Sequence, residues 1–271
     1  MSMEATAADS TPALARELDA ACAAAKEAGA ILRRHYGERA FTVDHKGKDN
    51  PVTTADFEAD RALKSLLHGA FPHYGWLSEE TADDGARLQR DRVWIVDPLD
   101  GTKEFIKSIP EFVVAIALAE RGVPILGVTY NPIKDELFSC MRGGGVHFNG
   151  APVRVTPRAD LIGATVLASR SETSRGEWKA YEGKLIVKPI GSVAYKLALV
   201  AAGRADATFT LTPKSEWDIA SGVALIKEAG GCVTALDGGE IRFNRKSVTL
   251  SGFLATNAKL HCAIAGMLPK R

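Results

Sequence analysis

The chain has 271 residues, of which 46% are hydrophobic and 25% charged, and its 34 basic and 33 acidic side chains leave a formal charge of +1. That length buries the core of one large domain or two smaller ones, and the near-neutral balance excludes a global field for nucleic acid polymers or membranes. The four cysteines form no C-x-x-C pair and read as buried reduced thiols; with no leader pattern and no run of about 18 apolar residues, the expected location is the cytoplasm, with peripheral contact on the inner membrane left open.

Met1 to Ser10 are small and polar and read as a frayed tail. Thr11-Pro12 is an N-cap followed by a proline suited to the first helical position. Leu14, Leu18, Cys22, Ala25, Gly29, Leu32 and Tyr36 then recur at helical period, so an amphipathic surface helix is expected. Residues 46–50 are polar and read as a mobile loop that closes over a substrate. Pro51-Val52-Thr53-Thr54-Ala55-Asp56 leads into a second helix with Ala59, Leu63, Leu66, Leu67 and Ala70 inward, ended by Pro72. Trp76-Leu77-Ser78 is a short apolar segment that runs into Glu79-Glu80, and 83–91 reads as a loop or short helix. Apolar runs at 93–96, 112–119, 124–130, 135–141 and 146–148, with an Asn149-Gly150 turn, indicate an antiparallel sheet.

From about Leu161 the pattern alternates. Strands are expected at 164–168, 185–189, 205–211, 232–236 and 250–256, and helices at 173–182, 192–202, 218–229 and 258–268. The fold class is α/β, in detail α+β, with two non-repeating halves, 1–160 and 161–271.

The segment from Trp94 to Thr102 carries the most chemistry. A buried strand runs into Asp97 and Asp100, separated by Pro98-Leu99, and then into Gly101-Thr102. Two carboxylates this close raise each other's pKa unless a cation sits with them, and oxygen-only donors suit magnesium or manganese over zinc. The Gly-Thr offers open N–H groups and a hydroxyl for a phosphate. Asp56 and Asp218 stand at helix starts, where a lone acid is first of all a cap or dipole partner, and Glu79-Glu80 alone reads as a solvated loop. An EF-hand fails, because Leu99 takes the third position counted from Asp97 and Ser108 the twelfth. H-E-x-x-H, the P-loop and G-x-S-x-G are absent, and the six histidines are scattered, so a covalent hydrolase is not indicated.

Leu77-Ser78-Glu79-Glu80, Asp97-Pro98-Leu99-Asp100-Gly101-Thr102 and Trp217-Asp218-Ile219-Ala220-Ser221-Gly222 together resemble the inositol monophosphatase superfamily of lithium-sensitive, magnesium-dependent phosphatases. The turn from Gly144 to Gly150 resembles a further landmark of that superfamily. The resemblance implies a layered αβαβα sandwich. Lys103-Glu104-Phe105, where inositol monophosphatases usually carry Thr-Asn, is similar to the 3′(2′),5′-bisphosphate nucleotidases of CysQ type. That branch implies removal of the 3′-phosphate of adenosine 3′,5′-bisphosphate, or of its sulfated form, in sulfur assimilation. An inositol-1-phosphate or sugar phosphatase and a non-catalytic phosphonucleotide binder are the alternatives.

The resemblance also implies roles. Glu79, Asp97 and the Leu99 carbonyl would hold one magnesium, and Asp97, Asp100 and Asp218 a second, with Asp97 bridging. Glu79 would anchor a third ion through water, and manganese would substitute for magnesium. Thr102, bonded to Asp56, would orient and deprotonate the attacking water, so Asp56, Glu79 and Thr102 are the catalytic candidates. The Gly101 and Thr102 N–H groups would hold the phosphate, with Glu79, Leu99, Asp100 and Asp218 also bordering the substrate. Ser192 and Lys196 would take the rest of the nucleotide, the alternative for Lys196 being a solvated helix charge. Lys103 would touch a phosphate or pair with an acid nearby, and Glu172 replaces the histidine of a Ser-Arg-Ser-His segment that Ser169-Arg170-Ser171 resembles. The implied partner is a small phosphorylated nucleotide, with monomer and homodimer both left open.

Overall fold

The structure, a computed structural model, describes residues 11–47 and 50–269, so the tail expected over 1–10 and the centre of the 46–50 loop lie outside the described residues. Helix α1 (Thr11–Glu38) buries Leu14, Ala21, Ala24, Ala25, Ala28 and Leu32, a row of mostly small side chains that lets it lie close to its neighbours. Strands β1 (Val43–Gly47) and β2 (Asn50–Thr53) form an antiparallel hairpin where a loop was expected. Helix α2 (Thr54–Ala70) starts at a capping box in which the Thr53 hydroxyl and the Asp56 carboxylate satisfy each other's backbone N–H groups. Its inward row is Ala55, Ala59, Leu63 and Leu67, at steps of four. Leu66 and Ala70, expected inward, fall on the flank beside that row and are exposed.

Strand β3 (Gly75–Ser78) runs parallel to β4 (Arg92–Asp100), with a 3-10 turn over Ala86–Gln89 on the crossover. Helix α3 (Thr102–Ile106) follows β4 directly. Strands β5 (Val113–Glu120), β6 (Val123–Asn131), β7 (Glu136–Met141), β8 (Val146–Phe148) and β9 (Ala151–Val153) continue as an antiparallel meander, giving a seven-stranded sheet in sequence order. The second half supplies β10 (Ala164–Ser169), α4 (Arg170–Ser174), β11 (Leu185–Ile190), α5 (Val193–Ala201), β12 (Ala207–Thr210), β13 (Lys214–Ser215), α6 (Glu216–Glu228), β14 (Cys232–Ala235), β15 (Thr249–Leu250), β16 (Phe253–Thr256) and α7 (His261–Ala265). Its five-stranded sheet has the order β11-β10-β12-β16-β14, and β13 pairs with β15.

Both faces of the first sheet are covered, which is why its strands read as continuous apolar runs. Trp94, Val96, Ile116 and Leu118 pack with Leu32, Leu63 and Leu67 of α1 and α2. Val93, Ile95, Ala115 and Ala117, one residue out of phase, face Leu197, Ile219 and Val223 of α5 and α6. The second sheet lies against the other side of that helix pair, and its outer face is covered by Trp178, Tyr181 and Ile264. The result is the expected αβαβα sandwich. Gly127 of β6 lets α6 approach closely, since a Cβ there would stand 2.5 Å from the Ser221 carbonyl. That approach sets the depth at which the N-terminus of α6 arrives.

Three expected elements differ. The helix over 173–182 is cut by Gly176 at φ 79° into α4 and a 3-10 turn over Lys179–Tyr181, so that Trp178 and Tyr181 can pack on Phe209. The strand over 250–256 breaks at Gly252, and the helix over 258–268 shortens to α7 behind the left-handed Ala258. Of the cysteines expected to be buried, Cys140 is; Cys22 and Cys232 are half-buried and Cys262 is exposed. No helix among the described residues is long and apolar enough to cross a membrane.

Candidate active site

Side chains at i and i+3 of a regular strand point to opposite faces. Strand β4 escapes this by a bulge: Asp97 pairs with Ala115 and Asp100 with Val113, so the stretch between them carries one residue more than its partner. Pro98, which has no N–H to give the ladder, sits in that bulge. The extra residue re-aims the strand end, and Asp97, Leu99 and Asp100 all line one cavity of about 270 Å³. The strand that was expected to stop at Val96 therefore continues through both acids.

Glu79 arrives from the end of β3, beside β4, and Asp218 from the first turn of α6. One carboxylate oxygen each of Glu79, Asp97 and Asp218 lies within 4.8 Å of the others. Asp218 is also the third residue of a capping box, accepting the Ser215 N–H at 2.8 Å. Asp56 plays the same capping part for α2, and both acids also make a second contact, Asp218 with the acid cluster and Asp56 with the Thr102 hydroxyl. Asp100 lies beside the trio, its Oδ2 accepting from the Ser192 hydroxyl and the Ala194 N–H, each at 2.6 Å. Its Oδ1 accepts no hydrogen bond among the described residues. The Leu99 N–H holds Asp97 Oδ1 at 3.0 Å.

Burial, with Glu79, Asp100 and Asp218 around it, pushes the Asp97 carboxyl well above the usual range. Burial with Asp100 and Glu79 pushes Asp218 up to about 8. These groups fit a hard divalent cation by donor type and by the convergence of their carboxylates. The strain has a sign. A carboxyl with a raised folded pKa holds a proton that the unfolded chain releases, so metal-free stability is complete below the unfolded pKa, about 4, and is lost as pH rises through the folded value. A bound cation removes that loss. Magnesium is therefore expected to raise the melting temperature much more at pH about 8.5 than at pH about 6, and equal shifts in melts at the two values would refute the assignment.

Thr102 opens α3 directly after Gly101, whose φ of 106° favours glycine. The first-turn N–H groups there have no helical partner, and Gly101, Thr102 and Lys103 line the cavity. The Thr102 hydroxyl lies 3.2 Å from Asp56 Oδ1 and 3.1 Å from the Leu99 carbonyl. Burial pushes Asp56 up to about 6, against the hydrogen bonds from Thr53.

Cations line the same cavity. Lys103, Lys196 and Lys214 line it, with Ser169, Ser171, Ser192 and Glu104. Lys196 is 4% exposed and donates to the Ser192 carbonyl at 2.6 Å, which excludes the solvated-charge alternative. Burial pulls its ammonium down to about 8, with Asp100 pulling the other way. Lys103 and Lys214 form no ion pair with a described residue. A second groove of about 560 Å³ shares Pro51, Lys103 and Ser171 with the cavity and adds Val43, Ile106, His45, Lys107 and Arg175. Lys46 of the β1–β2 hairpin reaches Glu79 and Glu80 at 2.6 and 2.7 Å. Glu172, in place of the histidine, is buried and held by Thr210, Thr212 and Trp178. Lys214 was not singled out in the sequence, its only signal being its position four residues before Asp218; Lys46 and Glu104 entered only as parts of the 46–50 loop and of Lys103-Glu104-Phe105.

An all-oxygen acid cluster beside a phosphate-sized turn, on a five-layer scaffold, defines a site for metal-assisted hydrolysis of a phosphomonoester. The profile of the inositol monophosphatase family matches residues 14–269. The inositol-1-monophosphatase of Mesorhizobium japonicum is 39% identical over 246 residues, 88% of this chain and 92% of that protein. Among solved structures, the extragenic suppressor protein suhB from Bartonella henselae superposes with a TM-score of 0.83 at 34% identity, covering 94% of this chain and 99% of that one. CysQ from Bacteroides thetaiotaomicron, a bacterial member of the inositol monophosphatase family, gives 0.75 at 31% identity over 90% and 97%. The chain belongs to the inositol monophosphatase family and is a phosphatase of that superfamily, whose enzymes are metal-dependent and generally use magnesium.

Proposed function

We propose that the protein removes the 3′-phosphate of adenosine 3′,5′-bisphosphate, giving AMP and phosphate, with the sulfated nucleotide as a second substrate. The observation that carries this reading is the set of lysines lining the cavity. A phosphate held by the cluster's cations and by the Gly101-Thr102 turn needs no further neutralisation. Lys103 and Lys214, without carboxylate partners among the described residues, suit a second anion on the same substrate. The adjoining groove, with Val43, Pro51 and Ile106 on its wall, suits an apolar ring such as a nucleobase. An inositol ring would offer hydroxyls to those lysines and nothing to that wall.

In this reading Glu79, Asp97, Asp100, Asp218 and the Leu99 carbonyl hold magnesium, with manganese as a substitute. Bound magnesium supplies Lewis acidity toward water and the phosphoryl oxygens. The Thr102 hydroxyl gives its proton to Asp56 and so presents a lone pair to a water proton. Asp56, raised toward neutrality, is matched to take up that proton. The Gly101 and Thr102 N–H groups orient the phosphate. Lys103, Lys196 and Lys214, with Ser192 behind them, hold the remainder of the nucleotide.

A second reading, inositol 1-phosphate or a sugar phosphate as substrate, is favoured by the name of the Mesorhizobium relative, an inositol-1-monophosphatase. Steady-state kinetics on both substrates separate the two. Two charge-assisted contacts of about 1.5 kcal/mol each predict a kcat/KM about a hundredfold higher for the bisphosphate. A ratio in favour of inositol 1-phosphate would establish the second reading.

A further inference from the structure

Pro110-Glu111-Phe112 places a charge at the entrance of a buried strand, β5, as Asp97 does at the end of β4. Glu111 is itself buried, yet it lies outside the acid cluster. Arg170, at the start of α4, grips it as a fork: Nε to Oε2 and Nη2 to Oε1, both at 2.6 Å. The Gly191 N–H donates to the same Oε2 at 2.7 Å. The Glu111 backbone also matters. Its carbonyl stands 2.9 Å from where a Cβ would lie at Gly101 and, separately, at Gly191, so three chain segments meet there with no room for a side chain. On its other side Gly191 is closed off by the Glu104 side chain.

The residue after Gly191 is Ser192, held at φ 61°, a left-handed conformation that a serine keeps only when its surroundings impose it. In that conformation its hydroxyl reaches Asp100 Oδ2, and the Ala194 N–H reaches the same oxygen. Asp100 is thus held by one oxygen and presents the other to the cavity. We propose that Glu111 and Arg170 are positioning residues: their fork clamps the Gly191-Ser192 turn so that Ser192 and Ala194 hold Asp100 in place for the magnesium site. The residues similar to CysQ-type enzymes then act partly by construction, because Glu104 packs against the same turn. Arg170 is 39% exposed, so the pair as an ordinary surface ion pair would contribute little to stability.

The inference rests on Asp100 being a magnesium ligand, and the experiment separates the two. Magnesium is titrated calorimetrically into metal-free wild type, Glu111→Gln, Arg170→Lys, Asp100→Asn and Arg92→Gln, with melting temperatures and kinetics alongside. Glu111→Gln and Arg170→Lys are expected to weaken magnesium binding about tenfold, with a smaller fall in kcat at saturating magnesium. Arg92→Gln breaks a comparable network with Glu17 and Glu120 away from the cavity, and is expected to lower the melting temperature alone. If the clamp variants behave like Arg92→Gln, with magnesium affinity within about twofold of wild type, the clamp is overturned. If Asp100→Asn also leaves magnesium binding unchanged, the failure lies with Asp100 as a ligand. Should Glu111→Gln not fold, Arg170→Lys, which keeps the charge and loses the fork, decides alone.

Discussion

Asp97→Asn is expected to lower kcat by about three orders of magnitude at saturating magnesium, because a Lewis-acid contribution of several kcal/mol is lost at about 1.4 kcal/mol per decade. The substitution is nearly isosteric. Its amide oxygen still accepts the Leu99 N–H, so the bulge keeps its shape. What disappears is one negative charge at the centre of the cluster, where Glu79 and Asp218 converge. The same loss removes the carboxyl that burial, with Glu79, Asp100 and Asp218 around it, pushes well above the usual range. The metal-free variant is therefore expected to melt higher than metal-free wild type above neutral pH. Collapsed turnover together with a more stable metal-free fold is a pairing that simple damage does not produce. Wild-type kinetics at saturating magnesium would reject Asp97 as a shared ligand.

The second large effect is expected at Thr102. Thr102→Ala removes the hydroxyl between Asp56 and the water, and general-base catalysis of this kind is worth about 10²–10⁴ in rate. The carboxylate cluster is untouched, so magnesium affinity should stay near wild type while kcat falls. Thr102→Ser restores the hydroxyl in place and should recover most of the rate. Burial of Thr102 is partial, and a fall common to both variants would point to packing of the turn. A kcat within tenfold of wild type for Thr102→Ala would show that water loses its proton elsewhere.

Much of the site was legible because it violates packing logic. Acids at the end of an apolar strand, as at Asp97 and Asp100, have no structural excuse and so announce chemistry, whereas Glu79 alone reads as part of a solvated loop and gained weight only from its motif. Asp56 and Asp218 were harder, since a cap is a sufficient reason for an acid at a helix start. In the structure each caps its helix and also meets a second candidate group, Asp218 the acid cluster and Asp56 the Thr102 hydroxyl. The bulge was not legible, because i and i+3 spacing fits a turn as well as a kinked strand and only pairing with Ala115 and Val113 decides between them. Elements with strong periodicity came out at their expected places, whereas the helix over 173–182 failed at Gly176, where aromatic packing on Phe209 outweighs helical propensity. Leu66 failed for a geometric reason: an apolar residue one step off the i+4 row is as hydrophobic as its neighbours and still faces out. Glu111 carried the same signal as Asp97 and was passed over because no motif surrounds it.

Helix α6 lies on strands β4 to β7 of one sheet and on β14 of the other, and it begins at Asp218. This placement makes the acid cluster depend on the docking of α6. The acids of β4 come together through neighbouring antiparallel pairings, which close short loops and form fast. Asp218 reaches them only when the chain beyond residue 215 has been made and α6 has docked on the far face of that sheet. Without α6 in place the proposed ligand set lacks Asp218. Once α6 docks, mass action by the ion favours the docked state over every looser one. In the proposed ligand set, which includes Asp218, a bound ion would hold α6 against that sheet, so free magnesium would bear on the stability of the fold as well as on the rate.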